Sequence, residues 1–552
     1  MFTPSWLIAL TTTTTLGIAS LIAMPTAAQA TAWAPTATKA LPLAGATPLG
    51  AAPASTPLRL TIGLSPRNAS GLKGLIARQA NPASAQYEQF LSPAQFTAEF
   101  APTAATASMA ASYLTSQGMS NVQTAGNRLQ ITADATVAQA ETAFNTAIGK
   151  FSQRGATVLA STVAASVPSS LSATVSGVLG LSTLGAKPVS TVTAPKLTGF
   201  YPHEFVKAYD GAKTGSGAGT SLAVIAEGNL TQTVTDLRTA EKAQALPQVP
   251  LSIMHTGISS PDTSGVDEWD LDTQTSTGVA PNAKHLYLYD ATSLTDSDLS
   301  RAINTFAAQD VAQAGSASLG ECDLLAFLDG SMVMDDVALA QAAAQGQTFF
   351  ASTGDTGSSC AVAATNGVPG SGPADTEYPA SSTYAIGVGG TTLVTDSSDN
   401  YQNEIAWNAG GGGTSPVENS GSWQNGVVPS STAGARGLPD IAFDADPNTG
   451  ALIYVGGAPT QIGGTSLSSP LALGSWTRLQ SDHHNSLGFA APKLYGIYSA
   501  AQTVPPLPPT TVPTSYHDIL AGINGLYSAT PGWDYTTGLG SWDLNNLDQA
   551  IK

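Results

Sequence analysis

From about Leu197 onward the chain alternates short apolar runs with amphipathic runs of helical period, and no other feature constrains its fold as strongly. The runs "SLAVIAEG", "KHLYLYDA", "GSASLG", "QTFFASTG" and "TYAIGVGGTTL" read as strands. Between them, "TVTDLRTAEKAQAL", "DSDLSRAINTFAAQ" and "MVMDDVALAQAAAQG" read as helices. Strands with so few polar positions are buried on both faces, and a parallel sheet covered by helices on both sides provides that burial. Ligands of such sheets bind beyond the carboxyl ends of the strands, so the chemistry is sought there.

The preceding residues have a different texture. "LRLTIGLSPRN" reads as a strand entering a turn, and Leu72, Leu75 and Ile76 give "SGLKGLIARQANP" helical spacing until Pro82. "ASMAASYLTSQG" and "TVAQAETAFNTAIG" read as helices and "NRLQITAD" as a strand, which together describe a small α+β unit. The Ser/Thr/Val-rich passage from Gly155 to Pro195 is expected to be a linker, partly helical in "SVPSSLSATVSGVLGL". A chain of 552 residues exceeds what one core organises, so we expect a leader over residues 1–30, a front unit with its linker over 31–190, and a second unit over 191–552.

The first 30 residues carry no charge and end in Ala28-Gln29-Ala30, a pattern suited to signal-peptide cleavage and export, so that the protein is secreted or periplasmic. Trp6 to Met24 is almost long enough to span a bilayer, which makes a retained anchor the alternative. An exported chain with two cysteines, Cys322 and Cys360, favours one disulfide over two buried thiols. The 20 basic residues face 38 acidic ones, a net charge of -18 that argues against nucleic acid or an anionic membrane as partner. Charged residues make up only 11% of the chain, and in an acidic medium many carboxylates would be protonated, shrinking the excess.

Chemistry enters with "QIGGTSLSSP", where a Gly-rich turn presents Ser466 as a nucleophile would be mounted. Such a serine needs a base, usually histidine. None of the six histidines (His203, His255, His285, His483, His484 and His517) sits in an H-G-T-H setting, and "MHTG" at His255 is only a fragment of one. "DEWDLD" offers a substitute, because Glu268 and Asp272 are four residues apart and fall on one face of a helix. Carboxyls placed so close share a proton and can act as base and then acid in an acidic medium. Asp267 and Asp270 make the stretch locally acidic, so an ordinary acidic helix face is the competing interpretation. In "FFASTGDTGSSC", Asp355 follows a strand and would project from its carboxyl end. D-T-G-S-S is also the mark of an aspartic peptidase half-site, but that class needs two such loops in an all-β chain, and this chain has one loop among alternating elements.

Together these motifs resemble the sedolisin, or serine-carboxyl peptidase, family, whose precursors carry a pro-kumamolisin-type activation domain. The front half contributes "LTIGLSPRN", "NPASAQYEQFLSPAQF" and "TVAQAETAFNTAIG" to the resemblance. The back half contributes "DEWDLDTQ", "GVAPNAKHLYLY", "SASLGECD", "ASTGDTG", "YPASSTYAIGVGGTTL", "RGLPDIAFDADPNTG", "GGTSLSSP" and "PGWDYTTGLG". The resemblance implies a subtilisin-like parallel sheet with helices on both faces, preceded by a smaller α+β, ferredoxin-like prodomain. It implies Ser466 as nucleophile, Glu268 as general base and acid, Asp272 as the group that holds and tunes Glu268, and a protonated Asp355 as oxyanion donor. Glu227 matches an accessory acidic position. One calcium ion is implied, held by the carboxylates of Asp518 and Asp534 and the carbonyls of Ile519, Thr530 and Gly532, an all-oxygen set that suits a hard cation. Thr530 stands where the family has glycine, and Leu319 where some relatives carry a tryptophan that extends the hydrogen-bond chain. The fold would bring Cys322 and Cys360 to neighbouring strand ends, where a disulfide would brace the Asp355 loop. The implied activity is that of a secreted, acid-active, monomeric endopeptidase acting on proteins or peptides. Its own prodomain is the intramolecular inhibitor, and the linker near residues 185–197 is cut by the enzyme itself; a tripeptidyl-type exopeptidase is the alternative.

Overall fold

The apolar run Ser221–Glu227 is buried at every position, and it forms the centre of an eight-stranded sheet. The computed structural model describes residues 32–551 apart from 42, 44, 154, 189–190, 193–196, 361–368 and 501–511. The leader and the alternative anchor of the sequence reading therefore lie outside the described residues, among which no helix is long and apolar enough to cross a membrane.

The front domain holds β1 (Thr47–Ala51), β2 (Pro57–Leu64), α1 (Ala69–Gln79), α2 (Pro93–Glu99), α3 (Ala104–Ser116), β3 (Ser120–Thr124), β4 (Gln130–Thr136) and α4 (Val137–Phe144). It continues with β5 (Ala147–Gln153), β6 (Ala156–Val163) and β7 (Val175–Leu179). Strands β3-β4-β2-β7 form an antiparallel sheet, and β1-β5-β6 form a second. Helices α3 and α4 place Ala107, Leu114, Val137 and Phe144 in one core with Leu60 and Ile62 of β2. Capping boxes begin α2 at Ser92 and α4 at Thr136, satisfying amides that a helix start leaves open.

The passage expected to be a linker departs from that expectation. Residues 156–163 and 175–179 are strands, and β7 pairs with β2, the central strand of the larger front sheet. Burial explains the difference: Val178 is fully buried and Leu171, Val175 and Leu181 join the front core, although the intervening Ser and Thr hide the period-two pattern. Only the residues after about 185 connect the two halves, as β8 (Lys187–Pro188) and β9 (Thr191–Val192).

The second half contains β10 (Ser221–Glu227), α5 (Thr231–Ala243), β11 (Leu251–His255), α6 (Val266–Val279), β12 (His285–Ala291), α7 (Asp296–Gln309), β13 (Ala314–Ala317) and β14 (Leu319–Cys322). Next come α8 (Ser331–Ala344), β15 (Thr348–Ser352), β16 (Ile386–Thr395), β17 (Tyr401–Ala406) and β18 (Ile441–Asp444). The elements that follow are β19 (Ala451–Val455), β20 (Ala458–Gly463), α9 (Thr465–Asp482) and α10 (Ala490–Ala500). Strand order is β11-β12-β10-β13-β15-β16-β17, with β18 also on β16; all pairs are parallel except β16 with β17.

The front sheet rests on α7 and α8 through neutral hydrogen bonds. Thr61 Oγ1 donates to the Ser297 carbonyl at 3.0 Å, Gln130 Nε2 donates to Ser300 Oγ at 2.8 Å, and Asn127 Nδ2 donates to Asn304 Oδ1 at 2.7 Å and Gln341 Oε1 at 2.9 Å. Gly63 permits this closeness, because a Cβ there would stand 2.5 Å from Met334 Cγ. Leu72, Leu75 and Ile76 of α1 and Phe96 of α2 belong to the core of the second half. Leu179→Ala in the full-length chain, with Ser466→Ala to prevent self-cutting, is expected to cost ~2–5 kcal/mol in urea unfolding. A loose linker at that position would lose nothing.

Candidate active site

Local sterics determine how Ser466 is presented. Strand β20 runs into Gly463, and a Cβ there would meet the Pro447 nitrogen at 2.5 Å. Gly464 follows at φ +109°, a conformation that favours glycine, and its N–H donates to the Ala445 carbonyl at 2.6 Å. Helix α9 then starts at Thr465, so Ser466 is its second residue. The small-residue run after it anchors the helix: Ser468 Oγ donates to the Gly389 carbonyl at 2.5 Å and accepts from the Phe443 N–H at 2.9 Å, and Ser469 Oγ meets Ser316 Oγ at 2.8 Å. Pro470 has no N–H to give the Ser466 carbonyl four residues back. The Ser318 hydroxyl oxygen lies 3.3 Å from that carbonyl instead.

Ser318 also connects Ser466 to the carboxyl pair. Its hydroxyl donates to Asp272 Oδ1 at 2.5 Å. Glu268 and Asp272 lie one turn apart on α6, which packs directly on α9, and both are fully buried with Ser466. Burial, then the charge of Glu268, pushes the Asp272 carboxyl well above the usual carboxylate range. The sequence reading quoted Ser318 within "SASLG" without giving it a role; the signal was a small polar residue at the end of an apolar strand.

Asp355 stands after β15, and its Oδ1 accepts from Thr465 N–H at 2.7 Å and Thr465 Oγ1 at 2.8 Å. The Gly354 N–H donates to Thr465 Oγ1 at 3.1 Å, tying the Asp355 loop to the residue before Ser466. Thr465 was also given no role by sequence. Cys322, ending β14, and Cys360, after the Asp355 loop, form a disulfide with Cα atoms 5.4 Å apart, in place of two free thiols.

The other expected site residues lie in two groups. Glu227, ending β10, is 4% exposed; burial and then the charges of Asp262, Asp290 and Asp298 push it up to about 7. Asp518 accepts from the Gly532 N–H at 3.1 Å, and Asp534 Oδ2 accepts from the Thr530 N–H at 2.9 Å, which gathers both carboxylates on the 530–534 loop. Burial raises both acids, and Asp534 further raises Asp518. Among the described residues no hydrogen bond ends on the carbonyls of Ile519, Thr530 or Gly532. Two adjacent acids beside three unspent carbonyls fit a calcium ion. His203, His255, His285 and His483 pair with Gln244, Asp290, Ser252 and Asp548, and His517 stacks on Tyr401.

The linker flanks this site on both sides. Strand β8 pairs antiparallel with β14, Lys187 opposite Gly320 and Pro188 opposite Leu319, directly after Ser318. Strand β9 pairs antiparallel with β20, Thr191 opposite Gly463, three residues before Ser466.

Comparison with known proteins agrees with this arrangement. Residues 44–184 match the family described as "Pro-kumamolisin, activation domain", and residues 260–494 match the "Subtilase family". Sedolisin of Pseudomonas sp. (strain 101) is 37% identical over 97% of this chain and 95% of its own length. Xanthomonalisin of Xanthomonas sp. (strain T-22) is 34% identical over 90% of this chain and 65% of its own length. The solved structure of Pseudomonas sedolisin (serine-carboxyl proteinase) complexed with two molecules of pseudo-iodotyrostatin aligns with TM-score 0.59 and 40% identity, covering 65% of this chain and 99% of that one. The chain thus belongs to the sedolisin family of serine-type peptidases, with a pro-kumamolisin activation domain before a subtilisin-like catalytic fold.

Proposed function

We propose that the chain is an exported, acid-active endopeptidase, made as a monomeric zymogen that cuts its own linker and binds one calcium ion. The observation that carries this reading is the pairing of the linker, as an extended strand, on both sides of Ser466. A peptide held this way presents a bond to the serine, and the prodomain that supplies it excludes other substrates.

In this scheme Ser466 Oγ attacks the scissile carbonyl while ionised Glu268 takes its proton. The C–N bond breaks as Glu268 returns the proton to the leaving amine, and water repeats the sequence to release the acyl group. Asp272, held by Ser318, shares the Glu268 charge and keeps that proton available. Asp355, whose Oδ1 accepts twice from Thr465, donates to the oxyanion when its carboxyl carries a proton. The acid that must be protonated and the base that must be ionised set the pH range: activity falls on the alkaline side as Asp355 loses its proton and on the acid side as Glu268 gains one. Calcium would bind through Asp518, Asp534 and the three carbonyls and hold the 530–534 loop to Asp518; it takes no part in these steps.

The alternative, a tripeptidyl-type exopeptidase, would use the same reacting residues. Mass spectrometry of products from an unblocked protein distinguishes the two: internal fragments are expected, and successive N-terminal tripeptides would refute the reading.

Moving the purified precursor to about pH 4, within the carboxyl range, is expected to release the front domain by a cut between Pro188 and Thr191, read by N-terminal sequencing. Ser466→Ala should stay intact, and Glu268→Gln and Asp355→Asn should lower kcat by ~10²–10³-fold. A precursor that hydrolyses peptides only near neutral pH would overturn the scheme. Chelation should lower the Tm and added calcium should restore it, whereas Asp518→Ala should show a low Tm that neither treatment moves.

A further inference from the structure

Glu268 and Asp272 use one face of α6; the adjacent face carries a second acidic contact to which neither the mechanism nor the sequence reading gives a role. Asp270 is fully buried there against Asp236 of α5, itself fully buried. Asp236 is saturated with donors: Oδ2 accepts from the Gly456 N–H at 2.8 Å and Gln232 Nε2 at 3.0 Å, and Oδ1 accepts from the Gly457 N–H at 2.7 Å. Those donors satisfy both Asp236 oxygens. No amide or basic group among the described residues reaches the Asp270 oxygens; what lies against them is the Asp236 carboxylate and the Thr233 hydroxyl. Two carboxylates cannot both be ionised in a dry contact, so the proton belongs to Asp270, which donates to Asp236.

Gly456 and Gly457, at φ +58° and +78°, are the two-residue turn of the β19–β20 hairpin, and Asp236 holds both of their amides. One helical turn beyond Asp270, Gln274 makes two hydrogen bonds to the same hairpin: its Nε2 donates to the Tyr454 carbonyl at 2.7 Å and its Oε1 accepts from the Tyr454 N–H at 2.8 Å. The second hairpin strand, β20, leads through Gly464 to Ser466 and pairs with the linker at β9.

We propose that Asp270 is a positioning residue for the reaction: as a protonated acid bonded to Asp236, it clamps the helix of Glu268 and Asp272 to the hairpin that delivers Ser466. This rests on the reading of Ser466 and Glu268 as the reacting pair. The titratable groups bearing on Asp270 are Asp236 and, on its own helix, Asp267. From the hairpin the neighbour is Tyr454 through its backbone; Arg478 and Asp482 of α9 are bound to the Val279 carbonyl and the Gly215 N–H, and Glu227 of β10 sits among Asp262, Asp290 and Asp298. Burial, followed by the Asp236 charge, pushes Asp270 up to about 8. The sign follows: unfolded, Asp270 loses its proton near the ordinary Asp value of about 3.9, and folded it keeps it. The stability it contributes is complete below that value and declines as pH rises toward about 8.

Asp270→Asn keeps a donor toward Asp236 and removes the proton, whereas Asp270→Ala removes both. In the full-length Ser466→Ala chain, urea unfolding between about pH 5 and 7 is expected to show the unfolding equilibrium constant of the Asp270 form rising ~10-fold per pH unit relative to Asp270→Asn, the signature of one proton held on folding. Equal slopes would overturn the protonated pair. In the acid-processed enzyme, Asp270→Asn is expected to stay within about threefold of the parent kcat, and Asp270→Ala to fall at least ~10-fold in kcat with KM little changed, as expected of misaligned reacting groups. An Asp270→Ala enzyme with parental kcat, or an Asp270→Asn enzyme as impaired as Asp270→Ala, would overturn the positioning role. Where Asp270→Ala does not accumulate, Gln274→Ala, which cuts the second tie to the hairpin, is measured in its place and must lower kcat in the same manner. The unfolding arm needs no activity, so it separates failure of this proposal from failure of the peptidase reading.

Discussion

The contact on which the rest of the structure depends is the packing of α6 against α9, two helices buried along almost their whole length at the ends of the sheet strands. One carries Glu268 and Asp272, the other begins with Ser466, and Ser318 joins them through the Asp272 carboxyl and the Ser466 carbonyl. Within α9, Ser468 bonds to a strand carbonyl and a strand amide, and Ser469 bonds to the Ser316 hydroxyl. Pro470 has no N–H to give the Ser466 carbonyl, and the Ser318 hydroxyl oxygen lies 3.3 Å from it instead.

Burial also governs where these carboxyls hold their protons. Away from water, a carboxyl holds its proton unless a donor or cation stabilises the anion. Asp272, Asp270 and Glu227 are all raised for this reason, whereas the Asp236 oxygens accept from three donors. A proton held near Asp272 and a proton held at Asp270 thus have one physical origin on two faces of a single helix. In the proposed scheme the first is available to the reaction and the second fixes geometry.

The front domain meets the catalytic half largely through hydroxyl and amide groups on α7 and α8. Such contacts are little altered between neutral and acidic solution. The Lys493–Glu88 ion pair is a charged contact between the halves. The linker, lying antiparallel on β14 and β20, joins this interface to the site.

Much of this was legible in the chain itself. The alternation of apolar and amphipathic runs gave the strand and helix order of the second half, because local periodicity reports which side of an element is buried. The four-residue spacing of Glu268 and Asp272 placed them on one helix face, and two adjacent glycines before Thr465 marked a turn too tight for any other residue. What periodicity does not carry is the identity of a distant partner. That β7 belongs to the front core, that Ser318 bonds to Asp272, that Thr465 holds Asp355, that Cys322 meets Cys360 and that Asp270 faces Asp236 are facts about residues 34 to 118 positions apart, each decided by how sheet and helices close on one another. Sequence determined which chemical groups the protein possesses and the local shape of each segment; the tertiary structure decided which groups meet and how dry they are, and it is dryness that sets where their protons reside.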